Sequence, residues 1–157
     1  MAFKIPIKTE RECDGCTKCC DGWLTGEAYG YQFNINNACF WKSKKGCNIY
    51  DIRPIDPCVT FKCFWKYSNL VPIEFKPDKI GIILVERTID GHKFLDINIG
   101  GNIPSPELLL WVEEMYLQDK IKNIRVILGD KFYVYSKSMD VIRYAKEKYK
   151  DLNLVIK

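Results

Sequence analysis

The sequence predicts an α+β fold: a loop-rich N-terminal cysteine and metal module, then a β-β-α-β-β-α-β scaffold with its helices on one face of a mainly antiparallel sheet. Three observations predict it. All eight cysteines fall between Cys13 and Cys63, in a stretch rich in Gly, Asn, Asp and Pro with no sustained hydrophobic period. Beyond it, β-rich runs come in pairs around Asp/Gly dipeptides, the residues a tight hairpin turn requires. Between and after those pairs lie two segments with a serine cap followed by apolar residues at helical spacing. The boundary falls between residues 1–70, the cysteine-cluster module, and residues 71–157, the scaffold, the two forming one compact unit.

Taken in order, "KIGIILVERTI" and "KFLDINIG" read as strands joined through Asp90-Gly91, whose types suit the positive φ angles of a two-residue turn. In "SPELLLWVEEMYLQDK", Ser105 caps a helix with Pro106 at its first position and Glu107 in its first turn, and Leu108, Trp111, Val112 and Met115 form the buried stripe. "NIRVIL" and "KFYVYS" flank Gly129-Asp130 as a second hairpin. Ser138 caps a second helix with the stripe Ile142, Ala145, Tyr149 and Leu152, and "NLVIK" closes as a last strand.

Composition narrows the function classes. Apolar residues at 47% and charged residues at 28% are those of an ordinary globular protein. A net charge of +4 is too mild to argue for nucleic acid. No segment has the roughly 18 consecutive apolar residues of a membrane span. "MAFKIPIKTERECDG" lacks the apolar stretch of a secretory signal, so a cytoplasmic location is expected. In that compartment thiols stay reduced and metal coordination is favoured over a disulfide framework, although the even cysteine count keeps the latter as an alternative.

The spacing is informative. Cys13, Cys16 and Cys19 lie three residues apart, the spacing of ferredoxin-type runs that wrap a cluster and take a remote fourth ligand. Zinc, which takes four tetrahedral ligands and often draws them as two pairs, is also served by Cys13 and Cys16 with a later pair such as Cys58 and Cys63. Adjacent Cys19 and Cys20 project in different directions, so they are expected to serve different centres, or one of them none. The expected ligand set is therefore Cys13, Cys16, Cys19, Cys20, Cys39, Cys47, Cys58 and Cys63, holding an iron–sulfur cluster, with 4Fe–4S favoured, or zinc; eight thiolates suffice for two centres.

The segments "CDGCTKCC", the lone Cys39, "CNIYDIRP" and "CVTFKC" resemble the YkgJ-type cysteine-cluster family, described as chelating zinc or iron. Its pattern is C-x2-C-x2-CC, a lone cysteine, C-x-I-Y-x-x-R-P, then C-x4-C, and every cysteine position is filled here in order, over about a third of the chain. This sequence departs from it with Thr17 where glycine is common, Val59 where arginine is common, and Ile55, Asp56 and Pro57 where two residues are typical. The resemblance implies metal chelation. Some relatives are associated with methylation of flagellin lysines, but no glycine-rich cofactor fingerprint follows a strand here.

Beside the cysteines, Arg53 and Tyr50 are candidates for a supporting shell: an arginine hydrogen-bonds sulfur and offsets thiolate charge, although Arg53-Pro54 equally shapes a turn. Phe61, Phe64 and Trp65 are read as core covering the site. His92, the only histidine, is read as an exposed turn residue, and Lys42 to Lys45 as a solvated turn. No catalytic group is identified. The expected function is a metal-binding protein with a redox, metal-handling or accessory role. The alternatives are a zinc-stapled subunit of a larger protein assembly and, more remotely, a protein-modifying enzyme.

Overall fold

The computed structural model describes residues 11–21, 23–34, 37–100, 103–128 and 131–149. Within them the chain is a mixed α+β fold. Short pieces dominate the cysteine-rich half, where no apolar period is long enough to drive a regular element: strands β1 (Gly26–Ala28) and β2 (Tyr31–Phe33) pair as one small antiparallel ribbon. Strands β3 (Lys42–Ser43) and β4 (Gly46–Cys47) pair as another, followed by the single turns α1 (Phe64–Tyr67) and α2 (Pro77–Ile80). The run read as one strand from Lys79 divides at Gly81, with helix before it and strand after.

The second half is regular. Strands β5 (Ile82–Ile89) and β6 (His92–Ile99) form an antiparallel hairpin whose turn residues, Asp90 and Gly91, have φ of 49° and 82°, the pair of positive angles a two-residue turn of this hand needs. Helix α3 (Pro106–Leu117) carries the chain to β7 (Asn123–Leu128), which lies parallel to β6, and parallel neighbours demand such a crossover. Strand β8 (Lys131–Ser136) returns antiparallel to β7, and α4 (Met139–Lys148) follows. The Ser105 hydroxyl accepts from the Leu108 amide at 3.2 Å and Ser138 from that of Val141 at 3.5 Å, each satisfying a donor the first turn leaves open. The four-stranded sheet runs β5-β6-β7-β8. The Gly129-Asp130 turn, Leu152 and the "NLVIK" strand lie outside the described residues.

One expectation is corrected. The helices do not share a face of the sheet: α3 packs Leu108, Trp111 and Val112 against Leu84, Leu95, Ile97 and Ile124, whereas α4 packs Val141 and Ala145 against Phe94 and Val134. Neighbouring residues of a strand point to opposite sides, so Phe94 and Leu95 mark two faces. The reason is visible in the run Ile82 to Val85, four consecutive buried residues rather than an alternation, which leaves both faces in need of cover.

The cysteine-rich half supplies the rest of that cover and wraps the edge strand β5, which would otherwise offer unpaired backbone groups. Trp65, Val71 and Phe75 join the α3 face. Leu24, Ala28, Phe33 and Cys39 pack on Ile83 and Val85 on the other. Between them Cys63 bridges to Val85. The Arg11 guanidinium ties the entering chain down, donating to the carbonyls of Trp65 and Val71, each at 2.8 Å.

Candidate metal centre

The first cysteines are positioned by a turn. Asp14 and Gly15 take φ of 45° and 78°, and the Cys16 amide donates to the Cys13 carbonyl at 3.0 Å, so "CDGC" closes on itself with the same Asp-Gly device as the β5–β6 hairpin. Lys18–Cys20 forms a single tight helical turn. Cys20 is drawn to the next segment by a backbone bond from the Cys39 amide to its carbonyl at 2.8 Å. Cys47 sits opposite Lys42 in the β3–β4 ribbon, Cys58 lies in the turn Ile55–Val59, and Cys63 caps α1. All eight are free thiols; Cys13 is exposed, Cys39 buried and the others half-buried.

The electrostatics divide them. Burial pushes the Cys63 and Cys16 thiols up from the ordinary range; the charges of Cys13 and Cys16 add to the effect at Cys63, and that of Cys13 at Cys16. Burial likewise pushes up Cys39, which feels Cys20 and Cys47, and Cys58, which feels Cys20, Cys39 and Cys47. Cys19 and Cys20 do not project apart as expected but meet at a seam, their sulfurs 3.8 Å apart. A hydrogen bond between them raises Cys19 and lowers Cys20; burial and the charge of Cys20, then those of Cys16 and Cys13, raise Cys19 further, while burial and Asp21 oppose and the Lys42 ammonium assists the lowering at Cys20. By the charges each thiol feels, Cys13 and Cys16 go with Cys63, and Cys20, Cys39 and Cys47 with Cys58, while Cys19 feels both Cys20 and the Cys13–Cys16 pair and so links the two groups.

Backbone amides favour the ionised form of one or more sulfurs in each group. The N–H groups of Trp65 and Lys66 lower Cys63, those of Trp41 and Lys42 lower Cys39, and those of Lys18 and Asp78 lower Cys16, in each case against the larger effect of burial. Those at Cys63 act as oriented dipoles without completing a capping bond. Such amides tune metal-bound thiolates. No signal in the sequence reveals them, because they depend on the local turn that follows each cysteine.

Arg53 donates to the Tyr50 carbonyl at 2.7 Å, stacks over the Tyr50 ring at 3.8 Å, and is the cation that partly opposes the rise at Cys58. Turn shaping and charge compensation thus coincide in it. Asp21 holds Lys18 at 3.3 Å and also pairs with Lys42, fixing both cations beside the seam. Trp65 is buried, with Nε1 donating to the Ile73 carbonyl at 3.0 Å, while Phe61 and Phe64 pack against the two cores. His92 opens β6 half-buried, its ring 4.7 Å from that of Tyr144 and far along the sequence from any cysteine.

No protein family, curated protein or solved structure matches the chain. Among the described residues, no three Cys, His, Asp or Glu side chains stand close enough together to hold a metal ion. The donor chemistry on offer is nonetheless of one kind, soft thiol sulfur, which zinc and iron–sulfur clusters take four at a time.

Proposed function

We propose that this chain is a metal-binding protein of the YkgJ type, whose cysteines serve two four-thiolate centres with a redox or accessory role. The observation that carries the reading is the grouping of the thiols by the charges they feel, Cys13 and Cys16 with Cys63, and Cys20, Cys39 and Cys47 with Cys58, linked through the Cys19–Cys20 seam. In the first set, Cys13, Cys16 and Cys19 supply the ferredoxin-type triple and Cys63 the remote fourth ligand, which favours a 4Fe–4S cluster. Cys20, Cys39, Cys47 and Cys58 form the second set, suited to zinc or a further cluster. A bound cluster supplies one-electron chemistry, and a bound zinc supplies folding energy to a half with little regular structure.

The chain's own residues would hold and insulate such centres. Amides beside Cys16, Cys39 and Cys63 favour thiolate, Arg53 offsets charge near Cys58, and Trp65 and Phe64 limit water on the Cys63 side. Burial opposes the charge on Lys66, but the fields of Cys13, of the Tyr50 and Tyr67 phenolic groups and of Glu12 outweigh it and raise its pKa, which keeps a cation near Cys13.

Metal analysis of anaerobically purified protein tests this. Iron with visible absorption, bleached by dithionite, is expected; Cys16→Ser loses that absorption while Cys58→Ser keeps it and loses the metal of the second set. His92→Ala changes neither. A colourless protein with stoichiometric zinc that unfolds on chelation would instead support the stapled-subunit reading. Absence of both metals, together with four disulfides by mass spectrometry, overturns the proposal.

A further inference from the structure

A cavity of about 340 Å³ lies between the sheet and the cysteine-rich half, on the face opposite α3, and none of its lining residues is a cysteine. Its charged groups are Arg87, Asp96 and Arg125. Asp96 is fully buried and accepts from Arg125 Nε at 2.8 Å and from a terminal Arg125 nitrogen at 2.5 Å, a bidentate pair that is complete in itself. The other terminal nitrogen of Arg125 donates to the Tyr149 hydroxyl at 2.7 Å. Arg87 then adds a second cation, with Nε 3.1 Å from the same Asp96 carboxylate and a side chain 45% exposed.

Two guanidiniums on one carboxylate leave an uncompensated positive charge at the wall of a half-open cleft. Folding does not require it: a buried ion pair is seldom worth more than the apolar residues that would replace it, and Arg125 alone already satisfies Asp96. Trp23 forms part of the opposite wall. Its ring lies so close to Gly100 that a Cβ there would stand 2.1 Å from it, so only the absence of a side chain at that position lets the indole lie against the backbone. Phe132 contributes a second apolar wall, and the Asn34 and Asn98 amides add polar edges.

We propose that this cavity binds a small aromatic monocarboxylate, its anionic group on Arg87 beside Arg125 and its ring against Trp23 and Phe132. One excess positive charge matches one monoanion, whereas a phosphate dianion would overcompensate it. The volume is at the lower end of ligand pockets and excludes a nucleotide-sized molecule. Arg87 keeps a partly exposed guanidinium whose planar fork suits a carboxylate. This site stands independently of the metal reading.

Calorimetric titration of the full chain with benzoate and naphthalene-2-carboxylate, each against its uncharged carboxamide and against inorganic phosphate, tests the inference. Saturable one-to-one binding is expected for the carboxylates, with the amides about tenfold weaker and phosphate without effect on their affinity. Arg87→Gln is expected to weaken binding by about tenfold with its unfolding midpoint unchanged. Binding of neither carboxylate, equal binding of acid and amide, competition by phosphate, or full affinity in Arg87→Gln would each overturn it. A Cys58→Ser chain that has lost its metal and still binds the carboxylate separates this result from the fate of the metal centres.

Discussion

Asp96 and Arg125 face each other across β6 and β7 in the middle of apolar strands, and Asp96 is the counter-ion that makes the buried Arg125 tolerable. Asp96→Ala leaves the Arg125 guanidinium buried without its counter-ion, so chemical denaturation is expected to show a loss of about 3–5 kcal/mol, the cost of breaking a buried pair from one side. Asp90 illustrates the opposite regime. It is fully exposed, and its carboxyl is held below the ordinary carboxylate range by hydrogen bonds from Lys148 and Tyr144. A depressed folded pKa contributes stability above the unfolded value, near 4, and that contribution disappears as pH falls through the folded value. Thermal melts at neutral and acid pH are therefore expected to differ less for Asp90→Asn than for the parent. Equal differences would show that the turn-to-helix contact is not maintained in solution. Both acidic residues were visible in the sequence as charges. Only Asp90, in an Asp-Gly turn, carried a readable role; Asp96 interrupts "KFLDINIG" at a position whose burial depends on strands contributed from elsewhere.

Elements with strong local signals were legible. Ser105 and Ser138 cap the helices as their positions foretell, and Leu108, Trp111 and Val112 form the buried stripe of α3. Ser105→Ala removes the acceptor for the Leu108 amide and is expected to cost about 1 kcal/mol in equilibrium unfolding, because the first-turn donor then depends on water. The short elements were not legible. α1 has four residues, and its burial of Trp65 owes nothing to helix propensity. Trp65 instead joins the large core on the α3 face, so Trp65→Ala is expected to destabilise by about 3–5 kcal/mol; a change below about 1 kcal/mol would mean that this half contributes little to the common fold. The sidedness of the helices escaped the sequence for a related reason. A run such as Ile82 to Val85 says that both faces are covered but not which helix covers which.

At the scale of the molecule, the cysteine-rich half and the sheet are mutually dependent. The half without long elements contributes Leu24, Phe33 and Cys39 to one face of β5 and Trp65 and Val71 to the other, while β5 gives those residues a surface on which to bury. Metal bound by the two thiol sets would add to that stability, so chelation is expected to lower the unfolding temperature of the whole chain in a single transition, followed by circular dichroism in the far and near ultraviolet together. Separate transitions would show that the thiol-bearing loops are stapled independently of the sheet. By itself the sequence determined what depends on near neighbours: the Asp90-Gly91 turn, the serine caps, the amphipathic stripe of α3, and the crowding of eight thiols into one segment. Tertiary structure alone decided what depends on distant segments meeting. It brought Cys63 within the field of Cys13 and Cys16 and Cys58 within that of Cys20 and Cys39, and set Arg87 and Arg125 around Asp96. The physical reason is range: capping and turn formation act over a few residues, whereas charge, desolvation and burial depend on whichever atoms the completed fold brings near.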